Sequence, residues 1–236
     1  WCTRHDILLI LDEVQSGLGR TGRWFAFEHE GIRPDGLILG KALGGGLLPM
    51  SAFLADARVM DVFNPGSHGS TFGGNALAAA VALEALQVIE DEDLVGRSAR
   101  MGAHLLARLR RVMKGARPLI RDVRGRGLWA AVDIDPAHAT ARELVERLAT
   151  HGVLSKETHE TVIRFAPPLT ITQDLIDRAV DILEGVVMQK RKELAPGAVR
   201  PQVPDPAAMA SGDIAVGAAV SAPVAASALA AAPAAA

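Results

Sequence analysis

Cysteine is almost missing from this chain: Cys2 stands alone among 236 residues. A single thiol excludes an intrachain disulfide and a cysteine-based metal site, and it fits a reducing, cytosolic setting. An excess of charge of either sign is missing too. The 25 basic and 27 acidic residues leave a formal net charge of −2, so electrostatics give no reason to expect nucleic acid or an anionic membrane as partner. A small molecule is the expected partner. The seven histidines show neither H-E-x-x-H nor any other metal-ligand spacing, and no metal is expected. Trp1 opens the chain without a methionine, a basic stretch or a leading apolar segment. No signal peptide is read there, and the chain reads as one whose beginning has been lost.

What is present is apolar and alternating. A hydrophobic content of 49% over this length suffices for a sizeable core and one or two domains. Ile7 to Leu11 and Leu37 to Leu39 are continuous apolar runs of the kind a parallel sheet buries on both faces, and Ser51 to Leu54 is a third candidate strand. Asn75 is placed to cap a helix running to about Glu92. A second helix is expected near Leu94 to Met113, with Leu105, Leu106, Leu109 and Val112 spaced for one face. Further on, Leu128 to Ile134 and Val162 to Phe165 read as strands, and Ala141 to Thr150 as a helix. A closing helix from Leu175 to Lys190 has Thr172 as its cap. The pattern predicts an α/β layer over residues 1–92, a smaller α+β unit over 93–194, and a disordered Ala/Pro-rich tail over 195–236. The uncharged end of that tail is weakly apolar and interrupted by Pro223 and Pro233, so no membrane partner is expected.

Two phosphate-loop patterns are weighed and set aside. Gly36 to Ala42 places only three residues between Gly36 and the Gly40-Lys41 pair, and Ala42 has no hydroxyl for magnesium. The stretch "GLGRTG" at 17–22 matches G-x-G-x-x-G, but no apolar helix follows it and the next strand ends in Gly40-Lys41 rather than in an acid. What the strand ends do carry is Asp12, closing "ILLILD", and Lys41, closing "GLILGK". Ligands of open α/β sheets bind outside the carboxyl ends of the strands, so two neighbouring parallel strands would aim both side chains at one crevice. A lysine buried there would have its ammonium form disfavoured, leaving a nucleophilic amine for Schiff-base chemistry with an aldehyde. Pyridoxal 5'-phosphate supplies such an aldehyde and needs a carboxylate to keep its ring nitrogen protonated. Asp12 and Lys41 would meet both needs, with the glycines at 44–46 letting the chain turn closely around the cofactor. The bland alternative for these two residues is a structural ion pair at the sheet edge.

Longer stretches add a resemblance. "LLILDEVQSGLGRTGRWFAFEHEGIRPDGLILGKALGGGLLPMSAFLAD", "HGSTFGGN", "RGRGL" and "IRFAPPL", in this order and spacing over residues 1 to about 190, resemble the class III pyridoxal-phosphate aminotransferases, their ornithine-type branch in particular. The resemblance implies the end of an aspartate-aminotransferase-like large domain (fold type I) followed by a C-terminal small domain. It makes Lys41 the Schiff-base lysine and proton shuttle, Asp12 the partner of the ring nitrogen, Gln15 the partner of the phenolic oxygen, and Val14 the residue packed on one ring face. Ser70 and Thr71 match the segment that reaches the cofactor phosphate of a neighbouring subunit, which implies a homodimer with shared sites. Arg164 matches the arginine that grips a substrate carboxylate. The implied substrates are an amino acid and a 2-oxo acid: ornithine and 2-oxoglutarate, giving glutamate 5-semialdehyde and glutamate. Acetylornithine and 4-aminobutyrate aminotransferases are the neighbouring alternatives, and an inactive fragment with only a packing role is the remaining one. The residues expected upstream for phosphate binding, ring stacking and amine selection precede Trp1 in this pattern, so the isolated chain is expected to be inactive or feebly active. Glu13 is read as structural, and Arg20 and Arg23 as solvated or ion-paired.

Overall fold

A computed structural model describes residues 1–195, which fall within one compact unit. The expected disordered tail lies outside them, apart from Ala195. Two sheets organise the described residues. The first holds β1 (Ile10–Asp12), β2 (Gly36–Leu39) and β3 (Ala52–Ala55) in that order, β1 parallel and β3 antiparallel to β2. A one-turn helix α1 (Ala57–Met60) follows, then α2 (Ala76–Asp91) and α3 (Leu94–Ala116). The second sheet comprises β4 (Ile120–Arg126), β5 (Trp129–Ile134), β6 (Lys156–Thr158) and β7 (Val162–Phe165). It is antiparallel throughout, in the order β4-β5-β7-β6, with α4 (Ala141–Thr150) and α5 (Gln173–Glu193) completing the unit.

Local chemistry explains the helix starts. Asn75 Oδ1 accepts from the Ala78 N–H at 2.9 Å, and Thr172 Oγ1 accepts from the Leu175 N–H at 3.4 Å, each satisfying an orphan donor of the first turn. The α3 stripe of Leu105, Leu106, Leu109 and Val112 is buried against the second sheet and α5. Full burial of one such side chain stabilises by about 1.5–3 kcal/mol. A second, smaller cluster forms around Leu18, Leu37, Leu39, Leu43, Ala82 and Ile89.

The first sheet departs from the sequence expectation. Only Ile10–Asp12 of the apolar run pairs as a strand, and Ile7, Leu8 and Ile10 are about half exposed rather than buried. In the described residues β1 has a neighbour on one side only, so its other edge and part of its face meet solvent. β4 was not anticipated either: in "IRDVRGR" only Ile120 and Val123 are buried, and pairing with β5 makes it a strand.

A tight joint connects the two sheets. The loop at residues 17–22 packs against α3 and against the β4–β5 turn at Gly127. There a Cβ on Gly102 would run into the Gly127 backbone, and one on Gly127 into that of Thr21. Ser98, fully buried, seals the joint: its Oγ donates to the Arg20 carbonyl at 3.0 Å and accepts from the Leu128 N–H at 3.3 Å. The glycines of "GLGRTG" therefore serve close packing, not a strand-to-helix phosphate turn. No helix of the described residues is long and apolar enough to cross a membrane.

Candidate active site

Asp12 and Lys41 stand at the ends of neighbouring parallel strands. Asp12 lies opposite Ile38 in the β1–β2 register, and Lys41 follows three residues later, so both leave the sheet at the carboxyl ends of its parallel strands. The local turn orients the acid: Asp12 Oδ1 accepts from the Val14 N–H at 2.9 Å. Its second oxygen takes no hydrogen bond from the described residues and is free to accept one.

Lys41 differs from expectation in being exposed rather than buried, because its side chain opens onto two cavities instead of the core. Its φ of +45° is left-handed, a conformation that costs a non-glycine residue about 1–2 kcal/mol. Strain of this kind concentrates at functional sites. The 3₁₀ turn Lys41–Gly44 ends at Gly45, whose φ of +60° and contact with Ala85 suit glycine. That glycine faces α2, so its freedom serves the turn onto that helix.

The cavities gather most of the sequence-predicted residues. One, of about 300 Å³, is lined by Val14, Gln15, Arg20, Lys41, Arg164 and Leu169, among others. Another, of about 440 Å³, is lined by Lys41, Met50, Ser51, Ser70 and Asn75, among others. Lys41 is the wall common to both. Asp12 is exposed at the strand end beside them, while Thr71 is exposed and lines neither. Ser70 Oγ accepts from the Gly73 N–H at 3.1 Å, which orders the turn ahead of α2.

Arg164 sits on β7, the strand between β5 and β6, with Ala131 opposite on one side and Lys156 on the other. Its backbone is thus fixed from both sides. The side chain is half-buried and forms no ion pair among the described residues, which leaves a guanidinium available to an anion. No group of three or more His, Cys, Asp or Glu side chains is gathered there as a metal site would be.

Three further residues test the sequence reading. Glu13 is buried and accepts from the Phe27 N–H at 2.9 Å, the Ala26 N–H at 3.1 Å and the Ser16 hydroxyl. It ties a 3₁₀ turn to the strand end, a structural role. Arg23 is exposed and donates to the Glu28 carbonyl. Arg20 is neither freely solvated nor ion-paired. Its Nη1 donates to the carbonyls of Leu128 at 3.0 Å and Pro167 at 2.5 Å, and burial lowers its pKa from the usual arginine value. Sequence reasoning missed it because its partners are carbonyls, which leave no trace in side-chain identity.

A lysine lining a cleft with an arginine that has no ion pair among the described residues, and an acid at the end of the neighbouring parallel strand, define a pocket for an anionic small molecule on an α/β scaffold. The chain belongs to the class-III aminotransferases: the family model, aminotransferase class-III, matches residues 1–187. Among its curated relatives are the ornithine aminotransferases of Exiguobacterium sp., 50% identical over 84% of this chain and 46% of theirs, and of Halalkalibacterium halodurans, 53% identical over 76% and 44%. Among solved structures, the ornithine aminotransferase of Toxoplasma gondii, described with partial occupancy of PLP at its active site, superposes with a TM-score of 0.78 at 46% identity. The match covers 81% of this chain and 46% of that one. An acetylornithine aminotransferase from Elizabethkingia anophelis gives 0.75 at 46% identity over 80% and 47%. The fold is therefore that of these aminotransferases over the matched region. The chain spans about half the length of the relatives it matches.

Proposed function

We propose that the protein carrying this chain is a pyridoxal-phosphate-dependent aminotransferase that moves an amino group from ornithine to 2-oxoglutarate, giving glutamate 5-semialdehyde and glutamate. The observation that carries the reading is the gathering of Lys41, Gln15, Val14 and Arg164 around one cavity, beside a carboxylate at the end of the neighbouring strand. The ornithine aminotransferases among the relatives support the choice of donor.

The residues present fit the cofactor: an exposed amine, a carboxylate with one free oxygen and an aliphatic side chain converge at the sheet edge. When bound, pyridoxal phosphate supplies an aldehyde and an electron-accepting ring. Lys41 would be its covalent attachment point and, once displaced by the amino donor, the base that takes a proton from the donor carbon and returns it. Asp12 would hold the proton on the ring nitrogen, Gln15 would hydrogen-bond the phenolic oxygen, and Val14 would pack on the ring face. Arg164 would hold a substrate carboxylate with its planar fork. Ser70 and Thr71 would serve the phosphate of a neighbouring subunit in a homodimer. The same reading divides the chain into the end of a large domain, residues 1–92, and a small domain, residues 93–194. It makes the protein cytoplasmic and the chain alone inactive or feebly active.

A donor assay tests the reading. With 2-oxoglutarate as acceptor, the cofactor-loaded protein is expected to prefer ornithine over acetylornithine and 4-aminobutyrate by at least about tenfold in kcat/KM, a difference of about 1.4 kcal/mol. An ornithine site must admit a second charged amine where an acetylornithine site accepts an amide. A clear preference for either rival donor would assign the neighbouring branch.

A further inference from the structure

Arg20 is tied to Leu128 in both directions: its Nη1 donates to the Leu128 carbonyl, and its own carbonyl accepts from the Leu128 N–H at 3.1 Å. The same Nη1 also reaches the Pro167 carbonyl. By the β5–β7 register these two carbonyls belong to residues opposite one another, just past the end of the ladder that holds Arg164. Leu128 leads directly into β5, where Ala131 is the ladder partner of Arg164, and Pro167 follows Arg164 by three residues. The guanidinium lines the cavity that Arg164 and Lys41 share, and it pairs with no carboxylate among the described residues. Two hydrogens on one nitrogen, each aimed at a different carbonyl, lock together the segment before β5 and the segment after β7. Partial burial of Arg20 reduces the competition from water and so strengthens both bonds.

We propose that Arg20 is a positioning residue for substrate: by clamping the Leu128 and Pro167 carbonyls it fixes where Arg164 presents its fork to a dicarboxylate. The inference rests on the reading of Arg164 as the carboxylate-binding residue. A guanidinium is suited to the task because its donors are planar and set at fixed angles, whereas an ammonium is a point charge on a shorter reach.

Calorimetric binding of glutarate, an unreactive dicarboxylate, to the cofactor-loaded protein tests this alongside the KM for 2-oxoglutarate. Arg20→Met is expected to weaken glutarate binding about tenfold or more and to raise that KM more than it lowers kcat. The double variant with Arg164→Met is expected to be no more than about twofold worse than Arg164→Met alone, because one residue acts through the other. Arg20→Lys, which keeps the charge without the fork, is expected to lie between Arg20→Met and the parent and serves if Arg20→Met does not fold. A lower melting temperature with parental glutarate affinity in whichever folded variant is obtained would overturn the proposal, as would effects that multiply in the double variant. A parent protein that does not bind glutarate would remove the role of Arg164 and this one with it. If the parent binds glutarate but ignores ornithine, the donor assignment falls and the role of Arg20 stands.

Discussion

Lys41 carries two marks that ordinary surface lysines lack: a left-handed backbone and a place on the wall of two cavities. Its neighbours Ala42 and Gly40 carry no chemistry, so the strained residue is the one to which the proposed function assigns the cofactor. If it is the attachment point, borohydride reduction of the cofactor-loaded protein should leave pyridoxyl mass on the peptide containing Lys41, read by mass spectrometry after digestion. Label on another lysine would sink the assignment. The spacing of Asp12 and Lys41 was legible in the sequence because each closes a short apolar run. The exposure of Lys41 was not, since it depends on what lies beside the strand ends.

At the scale of elements, α4 and α5 are joined by a compact ion network. Arg147 grips Glu193 through both nitrogens at 2.7 Å and reaches Glu143 at 2.8 Å, where Lys190 also arrives at 2.8 Å. The Arg147 hydrogen bond, helped by the charges of Arg147 and Lys190 and opposed by burial, holds the Glu193 carboxyl below its ordinary range. A carboxylate with a depressed folded pKa contributes stability above its unfolded pKa of about 4 and loses it as pH falls through the folded value. Glu193→Gln should therefore lower the melting temperature near neutral pH by the equivalent of roughly 1 kcal/mol or less, with the deficit closing below about pH 4. Thermal melts of parent and variant between these limits check it, and a deficit unchanged in acid would show that packing, not charge, is responsible. Element boundaries set by caps and apolar spacing were legible beforehand: Ala141–Thr150 and Val162–Phe165 fall where periodicity places them. β4 was not legible, because a strand with two buried residues out of seven has no pattern of its own and takes its identity from β5.

For the molecule as a whole, large exposed apolar side chains crowd the first ninety residues, among them Trp1, Leu47, Phe63, Phe72 and Leu83. Covering such side chains would stabilise the chain, and the proposed homodimer with shared sites is one way of covering some of them. Mixing an inactive Lys41→Ala protomer with an inactive Ser70→Ala/Thr71→Ala protomer should then restore measurable transaminase activity, because one site of the mixed dimer keeps both halves intact. Verified mixed dimers without activity would place each site within a single chain.

The amino-acid sequence by itself determined the helix caps at Asn75 and Thr172, the apolar stripe of α3, the acid and lysine at successive strand ends, and the family to which the chain belongs. These are short-range signals: a cap acts within one turn, and an apolar period reports the burial of its own element. Only the tertiary structure decided that the 17–22 loop is a packing joint, that β3 runs antiparallel to β2, and that Arg20 answers to carbonyls 108 and 147 residues away. The reason is physical. Every residue except proline offers the same backbone donor and acceptor, so a hydrogen bond to a distant carbonyl is specified by where the fold brings the chain, and nothing in the identity of either residue announces it.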